Sequence, residues 1–312
     1  MSLSIVSLLN ALPGCLAQGI IWGIMALGLY ITFRLLDFAD LTVDGSFATG
    51  GAVTVILVLR GCPAIVAVLA AVAVGILTGL CTALLHTRLG IAPILSGILT
   101  QIALYSVNLH ILGNKANQPV NVDKYHLLLS LRHPATAILV TFLFAAVLIA
   151  LFYWFFGTEL GSAIRATGSN PRMVLAQGID IRRMKVLALA LSNGIVALSG
   201  GLMAQYQGFA DVNMGRGAIV IGLAAIIIGE VLRRTLFKGS QSFAIRLIFV
   251  VVGGIIYYVV MGVALWLRLP TNDLKLFTAV IVALFLALPN LKKKGYKSGK
   301  KTSAREEVSS NG

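Results

Sequence analysis

Residues 157–211 read GTELGSAIRATGSNPRMVLAQGIDIRRMKVLALALSNGIVALSGGLMAQYQGFAD, a polar and basic segment followed by a long apolar run. Another long apolar run precedes it, so the polar interruption stands out in an oily chain. Its local signals predict short helices. Asn170 is a capping residue and Pro171 suits a first helical position. Gly178 suits the left-handed residue beyond a helix end. Asp180 caps the next helix, which runs into the apolar stretch 186–210. A helix of about two turns is expected over 171–177, and 162–167 adds a further turn. Two readings are open for this segment: a docking element, or an ordinary cytoplasmic loop whose Arg and Lys set topology.

Composition fixes the class. Of 312 residues, 58% are hydrophobic and 12% charged, against about 25% charged in soluble domains. Apolar runs of membrane-spanning length recur along the chain. The fold class is therefore an all-α polytopic membrane protein. The formal charge of +14 gathers at the ends of apolar runs and in the tail, so topology explains it without nucleic acid. Cys15, Cys62 and Cys81 are odd in number and far apart. They make no metal-ligand pattern, and no disulfide is expected. No basic region precedes the first apolar run, so it does not read as a cleaved signal peptide.

Working outward, nine spans are expected. Residues 2–12 read as an interfacial helix ending at Pro13, and the first span covers about 14–36. Its Gly19 and Gly23 allow close helix contact. Then LLDFADLTVDGSFATGG, residues 35–51, places Asp37, Asp40 and Asp44 between two apolar runs. The next run, 43–59, is short. It reads either as a cytoplasmic turn with helix caps or as a broken helix lining a path, since irregular backbone at membrane depth must face protein or water. Further spans fall at 64–86, 92–111, 134–156, 185–207, 217–232, 243–267 and 274–289. Gln101 and Asn108 lie in the fourth, Asn193 and Gln205 in the sixth, and Glu230 near the end of the seventh. Such polar groups bond neighbouring helices or line a path. A transmembrane domain thus covers 1–290, with its polar segment at 157–184. A tail, 291–312, is basic and reads as disordered and cytoplasmic.

The basic segment and the tail are placed inside, which puts loop 112–133 and the N-terminus outside. Phe38-Ala39-Asp40 and Phe209-Ala210-Asp211 each end a long span and precede a short run of small residues. On opposite sides of the membrane they fit an inverted repeat, spans one to four against six to nine. Both acids are then expected at helix breaks, where Asn would replace Asp with little change in stability. No phosphate-binding GxxxxGK[ST], HExxH or GxSxG is present, so the chain shows no site for ATP, catalytic metal or a hydrolytic serine. It reads as a protein without enzymatic chemistry or cofactor.

The run GSAIRATGSNPRMVLAQGIDIRRMKVLALALSNGIVALSGGL, residues 161–202, resembles permease subunits of bacterial ABC importers, in the group that includes branched-chain amino acid and ribose permeases. FADLTVDGSF (38–47), LSNGIVALSGGLMAQYQGFADVNMG (191–215) and IGLAAIIIGEVL (221–232) look like permeases paired with lipoprotein-type binding proteins. Some of those are assigned to tryptophan or tyrosine uptake. The resemblance covers about residues 15–290. It implies that Arg165, Ala166, Asn170, Pro171, Arg172, Ala176 and Gly178 belong to cytoplasmic coupling helices that contact an ATPase. It also implies an extracytoplasmic substrate-binding protein, a second permease subunit in a homodimer, and a place in the bacterial cell membrane among lipid. On this reading Asp40, Asp44, Asn108, Asn193, Gln205, Asp211 and Glu230 are candidates for the path, and the solute is a small one, an amino acid by likeness. The alternative is a stand-alone carrier coupled to an ion through its acids, which has no need of a docking segment.

Overall fold

The computed structural model describes residues 5–237 and 242–267, with single helical positions at 276, 280 and 283. The ninth expected span and the tail lie outside the described residues. Ten α-helices make up nearly all of the rest. They are α1 (Ile5–Tyr30), α2 (Val43–Leu59), α3 (Ala64–Thr87), α4 (Pro93–Ile111), α5 (Pro134–Gly157), α6 (Glu159–Ser169), α7 (Pro171–Ala176), α8 (Ile181–Gln207), α9 (Ala218–Leu236) and α10 (Phe243–Trp266). Six of them, α1, α3, α4, α5, α8 and α10, are long and apolar enough to cross a membrane. The apolar helix α2 is shorter, and α9 ends in the charged Glu230, Arg233 and Arg234. All eight correspond to expected spans.

Two expectations about helix ends change. α1 runs through Pro13 without a break, so no separate interfacial helix ends there. Within a bundle a proline is tolerated because neighbouring groups satisfy the freed backbone. The adjacent Gly14 carbonyl accepts the Tyr206 hydroxyl at 3.3 Å. At its other end α1 loosens into a π-helical turn, Ile31–Leu35. The Leu36 and Phe38 amides reach back to the Ile31 and Thr32 carbonyls, both at 2.9 Å. Asp37 then takes φ +53°, a left-handed conformation that an Asp adopts more readily than most residues. The chain leaves the helix there and re-enters the bundle through Phe38 and Asp40, both buried.

The core is a six-helix unit, α1–α3 against α8–α10, and its contacts repeat. From α1 to the start of α2, residues have counterparts 171 positions later, as Phe38 has Phe209. Ser192 donates to the Gly28 carbonyl at 2.8 Å. Ser199, the counterpart of Gly28, donates to the carbonyl of Ile21, the counterpart of Ser192, at 2.7 Å. Swapping the two halves carries one residue pair onto the other, although the hydroxyl donor lies on α8 in both bonds. α3 crosses α8 where Gly75 and Gly79 lie against the backbone of residues 189–194. α10 crosses α1 where Gly254 lies against Gly19 and Gly23, the corresponding stretch. These glycines serve approach rather than turning: a side chain at Gly75 or Gly79 would strike a carbonyl of α8.

α4 and α5 lie outside this unit. α5 presents Leu139, Phe142, Leu143, Val147, Leu151 and Trp154 outward, a continuous apolar face suited to lipid. The loop after α4 carries a strand, β1 (Asn117–Pro119), that pairs antiparallel with β2 (Phe209–Asp211), Gln118 opposite Ala210. Gln205 holds the same loop from below. Its amide accepts the Leu128 N–H at 3.0 Å and donates to the Ala64 carbonyl at 3.2 Å.

Candidate functional site

The polar segment folds as two helices. α6 is longer than the single turn expected, because Thr158 caps it at Gly161 and the helix continues to Ser169. Asn170 then ends α6 and starts α7: its side-chain oxygen accepts the Met173 N–H at 3.2 Å, with Pro171 in the first turn. Gly178 takes φ +77°. Asp180 caps α8 by accepting the Arg182 N–H at 2.9 Å. Each capping residue read from the sequence does its local work. Of α7 only Val174 is buried, while Met173 and Leu175 are more than half exposed. Ala176 is also exposed, as are Arg165 and Arg172. Arg165 sits 5.8 Å from the ring of Phe243 at the start of α10, a cation–π contact. Gly168 packs so closely on the Leu35 carbonyl and Leu36 that no side chain fits between. α6 therefore bears directly on the π-turn that ends α1.

At the other focus, the helices α2 and α9 begin beside each other. The carboxylate of Asp44 accepts the Gly217 and Ile219 N–H groups, both at 3.0 Å. An acid in the first turn of α2 thus caps α9, offsetting the positive ends of both helices. Gly215, the counterpart of Asp44, rests against the Asp44 carbonyl with no room for a Cβ. Two equivalent positions in contact mark the repeat axis. Beside them is a cavity of ≈ 370 Å³. Asp44, Gln101, Tyr105, Asn108, Asn213 and Arg216 supply most of its polar lining.

The candidate residues separate into four places. Asp44 and Asn108 line the cavity. Asp40 and Asn193 meet each other instead, fully buried, with the Asn193 amide donating to Asp40 at 2.7 Å. The Asn193 oxygen accepts from Ser46 at 2.6 Å, and Ser46 bonds Thr78 at 2.7 Å. A second hydroxyl chain runs from Thr42 through Thr82 to Thr100 at 2.6 and 2.9 Å. Gln205 and Asp211 sit at the β1–β2 end. Asp211 accepts the Asn213 N–H at 2.7 Å, the same bond to the second residue on that Asp40 makes to Thr42 at 2.9 Å. Glu230 lies toward the last turn of α9, paired with Arg34 at 2.8 Å and Arg234 at 2.5 Å.

Sequence reasoning did not single out Tyr105 and Asn213 in the cavity, nor the buried Ser and Thr ladder. Asn213 carried one signal, its place two residues after Asp211 in the turn that repeats Asp40–Thr42. The hydroxyls carried none, because Ser and Thr in an apolar helix bond their own backbone as readily as a neighbour.

A bundle of apolar helices, with two helices starting beside each other at its centre and a capped polar segment at one end, defines an all-α polytopic membrane protein. The chain belongs to the family described as the permease component of branched-chain amino acid transport systems, whose pattern matches residues 12–289. It is a multi-pass permease of the bacterial cell (inner) membrane. It is similar to a tyrosine transport system permease protein of Clostridioides difficile, 39% identical over 304 residues, covering 96% of this chain and 100% of that protein. It is also similar to an uncharacterized protein of Rickettsia prowazekii, 32% identical over 289 residues, covering 91% and 99%. No solved structure matches.

Proposed function

We propose that the chain is the membrane-spanning subunit of an ATP-binding-cassette importer for an amino acid. A separate cytoplasmic ATPase docks on α6 and α7, an extracytoplasmic binding protein delivers the solute, and a second copy of the chain completes the path. The observation that carries this reading is the α6–α7 segment, which exposes Met173 and Leu175 on a capped helix outside the bundle. Exposed apolar side chains on a polar, protruding element are suited to a protein partner. The family and the tyrosine permease relative support the solute class, and aromatic amino acids are the first to test.

The chain itself performs no covalent step. ATP binding and hydrolysis on the partner move α6. Through Gly168 that motion reaches Leu35 and the π-turn, a helical irregularity suited to a hinge. Beyond the turn lie Asp40, Asn193 and the start of α2, so a displacement of α6 is passed to the helix breaks. Interfaces packed this closely shift between discrete arrangements rather than bending smoothly.

The test is uptake of labelled amino acids into proteoliposomes holding the permease, its ATPase and the binding protein. ATP-driven uptake is expected, with none from a proton or sodium gradient alone. Met173→Asp and Leu175→Asp are expected to abolish co-purification of the ATPase. Because both positions are exposed, the folded permease should change by no more than about 0.5 kcal/mol. Gradient-driven uptake without ATP, or full ATPase binding by both variants, would overturn the reading.

A further inference from the structure

The cavity beside the repeat axis has a chemistry of its own. Asn108 is 1% exposed, and its side-chain oxygen has no hydrogen-bond partner among the described residues. The buried side-chain oxygen of Asn213, on another wall, has none either. Unpartnered acceptors are costly in a buried site and are rare without a function. The same cavity is lined by Arg216, whose guanidinium makes no ion pair among the described residues. Two amide oxygens suit a substituted ammonium; a guanidinium suits a carboxylate, which it grips with two parallel bonds. Ile102, Tyr105 and Val212 supply an apolar wall. The volume of ≈ 370 Å³ accommodates a small solute.

We propose that this cavity seats a free α-amino acid, its carboxylate on Arg216, its ammonium on the Asn108 and Asn213 oxygens, and an apolar or aromatic side chain against Tyr105 and Ile102. The assignment rests on the amino acid importer reading above. Asp44 takes no direct part in holding the solute. Its carboxylate is committed to the α9 amides and keeps Gly217 and Arg216 in place beside α2. Residues from both halves of the repeat therefore close one site, α2 from the first and the turn after β2 from the second, with α4 as the third wall.

The test reads occupancy without transport. The full chain, with Cys15, Cys62 and Cys81 replaced by Ala and Ser106→Cys introduced, is placed in lipid nanodiscs and labelled with a methanethiosulfonate reagent. Ser106 is exposed and lines the cavity. L-phenylalanine or L-leucine at millimolar concentration should slow labelling about tenfold or more, the occupancy expected at concentrations well above Kd. Phenethylamine, which lacks the carboxylate, and 3-phenylpropanoate, which lacks the ammonium, should not. Arg216→Gln should abolish protection, and Asn108→Leu should raise the concentration needed. Should Asn108→Leu fail to fold, Asn213→Ala replaces it. Protection by neither amino acid, equal protection by phenethylamine, or unchanged protection in Arg216→Gln would each overturn the site. Uptake in proteoliposomes decides the importer reading separately, so a chain that imports amino acids without protection here loses only the site.

Discussion

Asp40 and Asp211 share the letters Phe-Ala-Asp and the same bond to the amide two residues on, yet their surroundings differ. Asp40 is fully buried and takes donors on both oxygens, the Thr42 N–H on one and the Asn193 amide on the other. Asp211 is partly exposed, and its second oxygen faces only the Asn117 amide at 3.5 Å. Asparagine has a single acceptor oxygen. At position 40 its NH₂ would meet a donor whichever way it turned. Asp40→Asn should therefore destabilise the protein by about 1–3 kcal/mol, the cost of a buried polar group left unmatched. Asp211→Asn keeps its one close bond and should stay within about 0.5 kcal/mol. Thermal unfolding midpoints in detergent check the difference, and equal midpoints would refute it. On this geometry asparagine is expected to be harmless only at the partly exposed position 211.

At the scale of elements, helices in this bundle approach closely because glycine lines their crossings. Gly50 on α2 lies against the Ala197 carbonyl of α8, and Gly200 on α8 lies against the Phe47 carbonyl of α2. A methyl at either position must push two backbones apart. Gly50→Ala and Gly200→Ala should each cost about 1–3 kcal/mol, the range for overpacking a tight interior. Gly157 ends α5 with open space around its Cβ position, and Gly157→Ala serves as the comparison that leaves the bundle intact. Gly178 fails differently. It has free space but φ +77°, so Gly178→Val strains the link from α7 to α8 by about 1–2 kcal/mol. That variant should remain folded and hydrolyse ATP with its partner while importing less solute per ATP. Normal coupling would show that the link need not be rigid.

For the molecule as a whole, the repeat and the charge distribution make one statement about orientation. With Arg and Lys inside, α6 and α7 are expected to face the cytoplasm and the β1–β2 ribbon to face outward. Asn117 and Arg172 are both exposed. A cysteine at 117 should react with an impermeant reagent in intact cells, and a cysteine at 172 only after permeabilisation. Reaction of both from the same side would overturn the arrangement. The two-fold relation also explains why a chain with few charged groups in its core carries polar chemistry at its centre. Short helices that start at the axis leave their first N–H groups without helical partners. The Asp40 and Asp44 side chains, and the hydroxyls around them, satisfy groups that lipid could not.

By itself the sequence determined the class, the positions of the eight described spans and the caps. Hydropathy over twenty residues is a local property, and so is the capping chemistry of Asn170, Pro171, Gly178 and Asp180, because each partner lies within a few residues. The repeat was legible as three letters, Phe-Ala-Asp, and the order of long and short runs. Only the tertiary structure decided what each polar residue does. Asp40, Asn193, Ser46 and Thr78 look alike in a sequence as isolated polar letters in apolar runs, but they join one buried network across 153 and 147 residues. Asp44 reads as an ordinary first-turn acid of α2, and it caps α9 instead, 173 residues away. Glu230 resembles a buried pathway acid until Arg34, 196 residues distant, is found beside it. Local chemistry depends on neighbours in the chain and survives translation into sequence rules. Pairing across the bundle depends on which helices cross, and the crossings are set by small residues whose contacts no single segment can reveal.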